Sequence, residues 1–318
     1  MPVYGNMSVR APTFASAQAA RSTIANLFFP NYEGRRAFCA NSGVTIDIGG
    51  RRRLLKYDQF ADVLYSVGWF WGAVTVVTTD DELVKVSGLP KAKAKDFAQT
   101  LAQNYIGNVQ RVAAFLAKDL DAAALEIARF DAAERYMAAH MILPLLATTE
   151  RLTPLLTLSI KPKMLSREVE AKVKSVTDFI ANHEQQRMVL NEKFVEAEIK
   201  AMKPFFDAVE SNPLTLAQSR AVVISEDRNL VVAAAGSGKT SVIVAKAGYL
   251  IRKALRPPEE ILMMAFGRQA SNEMAERISE RIGASVTVKT FHALGLSIIA
   301  SVEAVSYTHL TLPTILLV

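Results

Sequence analysis

Ala233, Ala234, Ala235, Gly236, Ser237, Gly238, Lys239, Thr240 and Ser241 form a run of small residues that closes on a lysine and a hydroxyl. That order suits a phosphate chain. Gly236 and Gly238 can take backbone conformations closed to larger residues, so successive N–H groups curl round an anion. A helix opening near Gly238 adds its positive end, Lys239 a point charge for β and γ oxygens, and the Thr240 hydroxyl a ligand for Mg²⁺. The pattern is A/G-x-x-x-x-G-K-T and implies a nucleoside triphosphate. A chance glycine turn would supply the loop but not its context, an apolar run from Leu230 before it and a helical pattern after it.

Elements that could position this loop follow from the flanking residues. Thr215-Leu-Ala-Gln218 begins a helix with a capping box. After the loop come a helix from about Thr240 to Arg252, a strand Ile261 to Phe266, a helix Gln269 to Ile282, a strand Val286 to Phe291 and a helix to about Ala300. Alternating β and α with short connections predicts a parallel sheet covered on both faces, with the loop at the C-terminal edge of its first strand.

The half before the loop reads differently. Val44 to Ile48 and Arg51 to Tyr57 predict a hairpin across Gly49-Gly50, and Gly68 to Thr79 with Glu82 to Ser87 a second pair across Asp80-Asp81. Pro90 opens a helix, and a weakly amphipathic helix is expected from about Ala15 to Phe28. Arg51, Arg52, Arg53 and Lys56, close in sequence to Trp69 and Trp71, have two readings: a face for phosphate and bases, or a solvated strand beside core tryptophans.

Beyond Val109 an alanine-rich helix is expected up to Pro144. A second runs from Ser166 to about Lys203 on a seam of Val169, Val173, Val176, Ile180, His183, Arg187, Leu190 and Phe194. The two should pair as an antiparallel hairpin, with His183 and Arg187 as polar register marks. The domains expected are 1–108, a small antiparallel α+β domain; 109–211, the hairpin; 212–303, the nucleotide module; and 304–318, a tail that resembles translated adapter sequence.

The runs NPLTLAQSRAVV, AAAGSGKTSVIVAKAGYL, ILMMAFGRQASNEMAERI and VKTFHALGLSII, in that order, resemble the opening of the motor domain of UvrD-like superfamily 1 helicases over about 212–302. The resemblance implies an incomplete RecA-like P-loop parallel sheet in an α/β fold. It also implies ATP with Mg²⁺ as cofactor and single-stranded or partly duplex DNA as partner. It assigns Gln218 to adenine, Ala233 to Thr240 to the triphosphate and Mg²⁺, and Phe266, Arg268, Thr290, Phe291 and His292 to the DNA path. For Phe266 and Phe291 a core role is the competing reading. Ala234 stands where the family usually has glycine, a cost only if that position needs positive φ.

Two parts of such a motor are missing. The acidic pair that should end an apolar strand is absent, since Glu259-Glu260 precedes its strand, and so is a second motor lobe. The expectation is therefore the N-terminal portion of a 3′–5′ DNA helicase without DNA-stimulated turnover of its own. The alternative is a non-catalytic nucleotide- and nucleic-acid-binding module. A P-loop GTPase would need an Asn-Lys-x-Asp motif, and none occurs.

Composition agrees without deciding. Over 318 residues the chain is 50% hydrophobic and 21% charged, the balance of an ordinary globular protein, and its net charge of +6 permits an acidic partner. Its single cysteine, Cys39, excludes an internal disulfide and reads as a small buried hydrophobe. No metal-ligand spacing is present, and no run is long enough to span a bilayer, so a cytoplasmic protein is expected.

Overall fold

A computed structural model describes residues 15–28, 36–48 and 50–303. The chain is α/β, with two antiparallel sheets and a small parallel one. It divides into two compact units, one up to Ala133 with Met141–Gln186, the other Glu134–His140 with Arg187 onward. The expected tail at 304–318 lies outside the described residues.

In the first unit, β1 (Ala17–Ala20), β2 (Arg36–Ala40), β3 (Gly43–Ile48) and β4 (Arg51–Lys56) form one antiparallel sheet in chain order, with α1 (Thr23–Phe28) between β1 and β2. The helix expected from Ala15 therefore gives way to a strand. Ala17 pairs with Cys39 and Ala20 with Arg36, and Ala19 is buried, so the ladder to a distant strand outweighs alanine's helical preference. The helix restarts after Ser22, whose Oγ accepts from the Ala25 N–H at 3.1 Å. The β3–β4 hairpin forms where expected, with Ile48 opposite Arg51 and Gly50 at φ 83.

The second sheet is β5 (Phe60–Val67), β6 (Trp71–Thr78) and β7 (Leu83–Pro90), all antiparallel. Its β6–β7 half follows the expected pairing, and β5 is an addition. One face is closed by α2 (Lys91–Phe115), which buries Phe97, Leu101, Tyr105 and Val109. Tyr105 stacks on Phe60 with centroids 5.7 Å apart and donates to the Ser159 carbonyl at 3.1 Å. Cys39 is buried as expected.

The helix expected from Val109 to Pro144 is interrupted: α2 ends at Phe115, α3 (Ala117–Asp131) follows, and then come α4 (Leu143–Glu150) and α5 (Thr153–Leu156). No proline or glycine marks the break at Leu116. The long helix α6 (Arg167–Ala201) forms as expected. Its seam is displaced by one position midway: Phe179 is buried edge-to-face against Phe130 at 5.4 Å, and Ile180 is exposed. Asp121 meets Lys172 and Phe130 meets Phe179, so α3 and α6 advance in the same direction along this stretch instead of opposing each other.

The second unit contains the end of α6, then α7 (Lys203–Ala208), α8 (Leu216–Val223), α9 (Lys239–Arg252), β8 (Leu262–Ala265), α10 (Arg268–Ile282), β9 (Thr287–Thr290) and α11 (Phe291–Glu303). β8 and β9 are parallel, in register from Leu262 opposite Thr287 to Ala265 opposite Thr290. Two cores share α9. Val242, Ala245 and Tyr249 pack with Val195, Phe205, Phe206, Val222 and Val223. On another side, Val244 and Ala247 pack with Ile261, Met263, Met274 and Ile278.

Candidate functional site: a glycine loop held by α8 and α9

The loop ahead of α9 is built around two left-handed glycines, Gly236 at φ 73 and Gly238 at φ 80. An alanine at either would be strained, and a Cβ on Gly238 would lie 2.6 Å from the Gln218 amide nitrogen. Ala234 has no positive φ, so alanine there is tolerated. Ser237 closes the turn internally, its Oγ donating to the Ala234 carbonyl at 2.7 Å.

Lys239 bends back over this loop. Its ammonium donates to the Ala233 carbonyl at 3.1 Å and the Ala234 carbonyl at 2.7 Å, with no carboxylate paired to it among the described residues. The cation is thus held where an incoming phosphate could exchange with two neutral acceptors, while Lys239, Thr240 and Ser241 form the first turn of α9.

Gln218 completes the capping box of α8 and reaches the loop with the same side chain. Its Oε1 accepts from the Thr215 N–H at 2.8 Å, its own N–H donates to Thr215 Oγ1 at 3.3 Å, and its Nε2 donates to the Ser237 carbonyl at 3.0 Å. One amide therefore fixes both a helix start and the glycine turn ahead of α9.

The segment before the loop departs from expectation. Leu230 to Ala235 is not a strand; it has no ladder partner among the described residues, and Leu230 and Val232 are 89% and 87% exposed. An apolar run becomes a strand only when a neighbour takes its N–H and C=O groups, and β8 and β9 pair only with each other. The loop is positioned instead by α8 and α9.

The remaining expected residues gather at one edge. The register of β8 and β9 ends at Ala265 opposite Thr290, so Phe266 and Arg268 follow one strand, and Phe291 and His292 follow the other, at the same C-terminal edge. Phe266 and Phe291 are exposed, which removes the core reading and leaves two open ring faces. Thr290 is buried, and its hydroxyl accepts from the Ala293 N–H at 3.2 Å as the start of α11. Glu259 and Glu260 lie in a 3₁₀ turn before β8, at the other edge. Among the described residues no group of three or more His, Cys, Asp or Glu could hold a metal ion.

Two supports of the site escaped sequence reasoning. Lys246 on α9 donates to the Val222 and Ile224 carbonyls, both at 2.7 Å, and to Ser225 Oγ at 3.0 Å, so α9 is bolted to the end of α8. Burial pushes its pKa down to about 8. Its signal was a lone charge on the apolar stripe Val242, Ala245, Tyr249.

The second support is a strap, Glu134–His140. Asn191 accepts from the Met137 N–H at 2.7 Å and donates to its carbonyl at 2.9 Å. Glu226 accepts from the Ala139 N–H at 2.7 Å and pairs with Arg187, while Asp227 accepts from the His140 N–H at 2.9 Å. Burial opposes ionisation of Glu226, but the Ala139 N–H and the Arg187 guanidinium outweigh it and hold the carboxyl below its usual range. Arg187 is thus a fastener, and His183 lies against Phe179 with ring centroids 5.5 Å apart.

Comparison with known proteins adds the following. The family described as DNA helicase IV / RNA helicase N terminal matches residues 21–181, and the UvrD/REP helicase N-terminal domain matches residues 214–308. DNA helicase IV of Escherichia coli (strain K12) is 33% identical over 269 residues, which is 83% of this chain and 39% of the relative. ATP-dependent DNA helicase Rep of the same organism is 40% identical over 86 residues, 26% of this chain and 13% of Rep. ATP-dependent DNA helicase PcrA of Leuconostoc citreum is 37% identical over 93 residues, 28% of this chain and 12% of PcrA. The chain thus spans about two-fifths of the helicase IV it matches, and far less of the others.

Proposed function

The chain belongs to the DNA helicase IV / RNA helicase N-terminal family, and from that premise we propose that it is the N-terminal portion of an ATP-dependent 3′–5′ DNA helicase. In this reading residues 212–303 are a partial RecA-like module that binds ATP, residues 1–108 and 109–211 are its accessory parts, and the protein works in the cytoplasm on single-stranded or partly duplex DNA. Ala233 to Ser241 cradle the triphosphate, Lys239 meets its β and γ oxygens, Thr240 holds Mg²⁺ and Gln218 turns its remaining amide capacity to adenine. When bound, the metal would neutralise phosphate charge. Phe266 and Phe291 offer ring faces to bases, and Arg268, Thr290 and His292 complete that path.

The observation that carries the reading is the Lys239 ammonium, held over a loop of two left-handed glycines by two neutral carbonyls. Titration with a fluorescent ATP analogue and Mg²⁺ tests it. Lys239→Ala should weaken binding by roughly 10- to 100-fold, the worth of a charged hydrogen bond; equal affinity in the two proteins would end the proposal.

A second reading, a nucleotide- and nucleic-acid-binding module without turnover, is favoured by the position of Glu259 and Glu260 at the edge of the sheet away from Phe266. For the chain as it stands we expect binding without DNA-stimulated hydrolysis. Stimulated hydrolysis that Lys239→Ala abolishes would instead make the chain a working motor.

A further inference from the structure

Three helices of the second unit leave a cleft between them. Residues 204–209 in and after α7, the 248–252 turn of α9 and the end of α10 at Arg281 and Ile282 enclose about 320 Å³. That volume lies within the roughly 300–1,000 Å³ usual for small-molecule sites. Phe205 and Val209 are buried, and with Ile251 and Ile282 they make the lining apolar. Gly248 permits this arrangement. Glycine inside a helix is unfavourable, but a Cβ here would come within 2.4 Å of Ile282 Cδ1 and 3.1 Å of Phe205 Cζ, so a side chain would part the walls of the cleft.

The charged residues lining the cleft are two exposed arginines, Arg252 and Arg281, and no Asp or Glu borders it. Arg252 lies over the Phe205 ring, its guanidinium carbon 5.6 Å from the centroid, and Arg281 donates from Nη2 to Ser211 Oγ at 3.1 Å. These contacts orient both guanidiniums, and among the described residues neither is paired with a carboxylate. The acids beside α7 serve other cations: Asp207 is held by Lys203 at 2.8 Å and Glu210 by Arg277 at 2.9 Å. Each arginine also stands in the last turn of its helix, against a dipole worth about half an elementary charge. A full charge exceeds that half, so the mouth stays positive.

We propose that this cleft binds a small organic anion, with an apolar body of one or two rings seated on Phe205, Val209, Ile251 and Ile282 and a carboxylate or phosphate at Arg252 and Arg281. A bare phosphate would leave the apolar lining wet, and a neutral hydrocarbon would make no use of the arginines; an amphiphilic anion meets both. The cleft lies wholly in the second unit and does not depend on the reading of the glycine loop.

2-Naphthoate is a probe of that chemistry. Titrated into the full chain and followed by saturation-transfer NMR, it should bind saturably with a Kd of about 1 mM or tighter, the reach of a ligand of this size. Its neutral counterpart 2-naphthalenemethanol, and inorganic phosphate, should each bind at least about tenfold more weakly. Arg252→Gln and Arg281→Gln, both at the surface, should melt like the parent and each weaken naphthoate about tenfold. Ala208→Trp, from an exposed position on the rim, should block it. Arg256→Gln, exposed but outside the lining, should leave it unchanged. The proposal is overturned if naphthoate does not saturate, if the alcohol binds as well as the acid, or if Ala208→Trp binds like the parent. It is also overturned if neither arginine variant weakens binding, or if Arg256→Gln weakens it as much as they do. Tighter binding of a peptide ending in phenylalanine than of naphthoate would overturn it too, since the occupant would then be the end of another protein.

Discussion

Gln218 uses both ends of one amide, and that makes its two roles separable. Glutamate in its place keeps an acceptor for the Thr215 N–H but loses the donor to the Ser237 carbonyl; alanine loses both. Gln218→Ala should cost about 1 kcal/mol of stability, the usual worth of a helix cap. Gln218→Glu should melt close to the parent and still bind the ATP analogue more weakly. Thermal melts and nucleotide titrations on the pair check this, and equal affinity in Gln218→Glu and the parent would confine Gln218 to capping. Lys246 makes a pH-dependent prediction. Its folded pKa, about 8, lies below the ordinary 10.5, so the folded chain gives up this proton first. The cost of burying the charge is full below pH 8 and is relieved between about 8 and 10.5, so this contribution to stability rises with pH in that window. Urea unfolding at pH 8 and pH 10 should show the parent gaining on Lys246→Met; a constant gap would mean that burial does not shift this group.

Helix ends and strand partners decide how the elements settle. Helix α9 closes in a Schellman arrangement, with the Leu255 N–H bonded to the Leu250 carbonyl at 2.9 Å and the Ala254 N–H to the Ile251 carbonyl at 2.9 Å. The left-handed position, φ 51, falls to Ala254. Ala254→Gly should therefore raise stability by about 1 kcal/mol, relief of the Cβ clash exceeding the added freedom of the unfolded chain; an unchanged or lower melting temperature would contradict it. Such ends show why part of the fold was legible in the sequence. The capping box at Thr215, the left-handed glycines at 236 and 238 and the α9–β8–α10–β9–α11 order are dictated by local chemistry and so are legible in the chain. What failed was set by distant partners. Ala17–Ala20 is a strand because β2 lies beside it, whereas Leu230 to Ala235 has no strand beside it among the described residues. The tryptophans and the arginine cluster, near in sequence, are parted by the length of β6, since Arg53 pairs with Glu82 in the β6–β7 turn and Trp71 stands at the other end of the strand.

Over the whole molecule, contiguity in sequence is a poor guide to which residues fold together. The strap Glu134–His140 belongs with residues from Arg187 onward, and Phe205, Phe206 and Val209, ahead of the expected boundary at 212, share a core with α9. No helix among the described residues is long and apolar enough to cross a membrane. The solitary Cys39, buried in β2 with its thiol pKa pushed up by that burial, turns this architecture into a clock. A disulfide reagent such as Ellman's must wait for the first sheet to open before it finds a thiolate. Colour should develop slowly in the native chain and at once in denaturant, and prompt colour without denaturant would contradict the closed sheet. Each native burst of yellow would then count one breathing motion of a sheet that carries no other sulfhydryl.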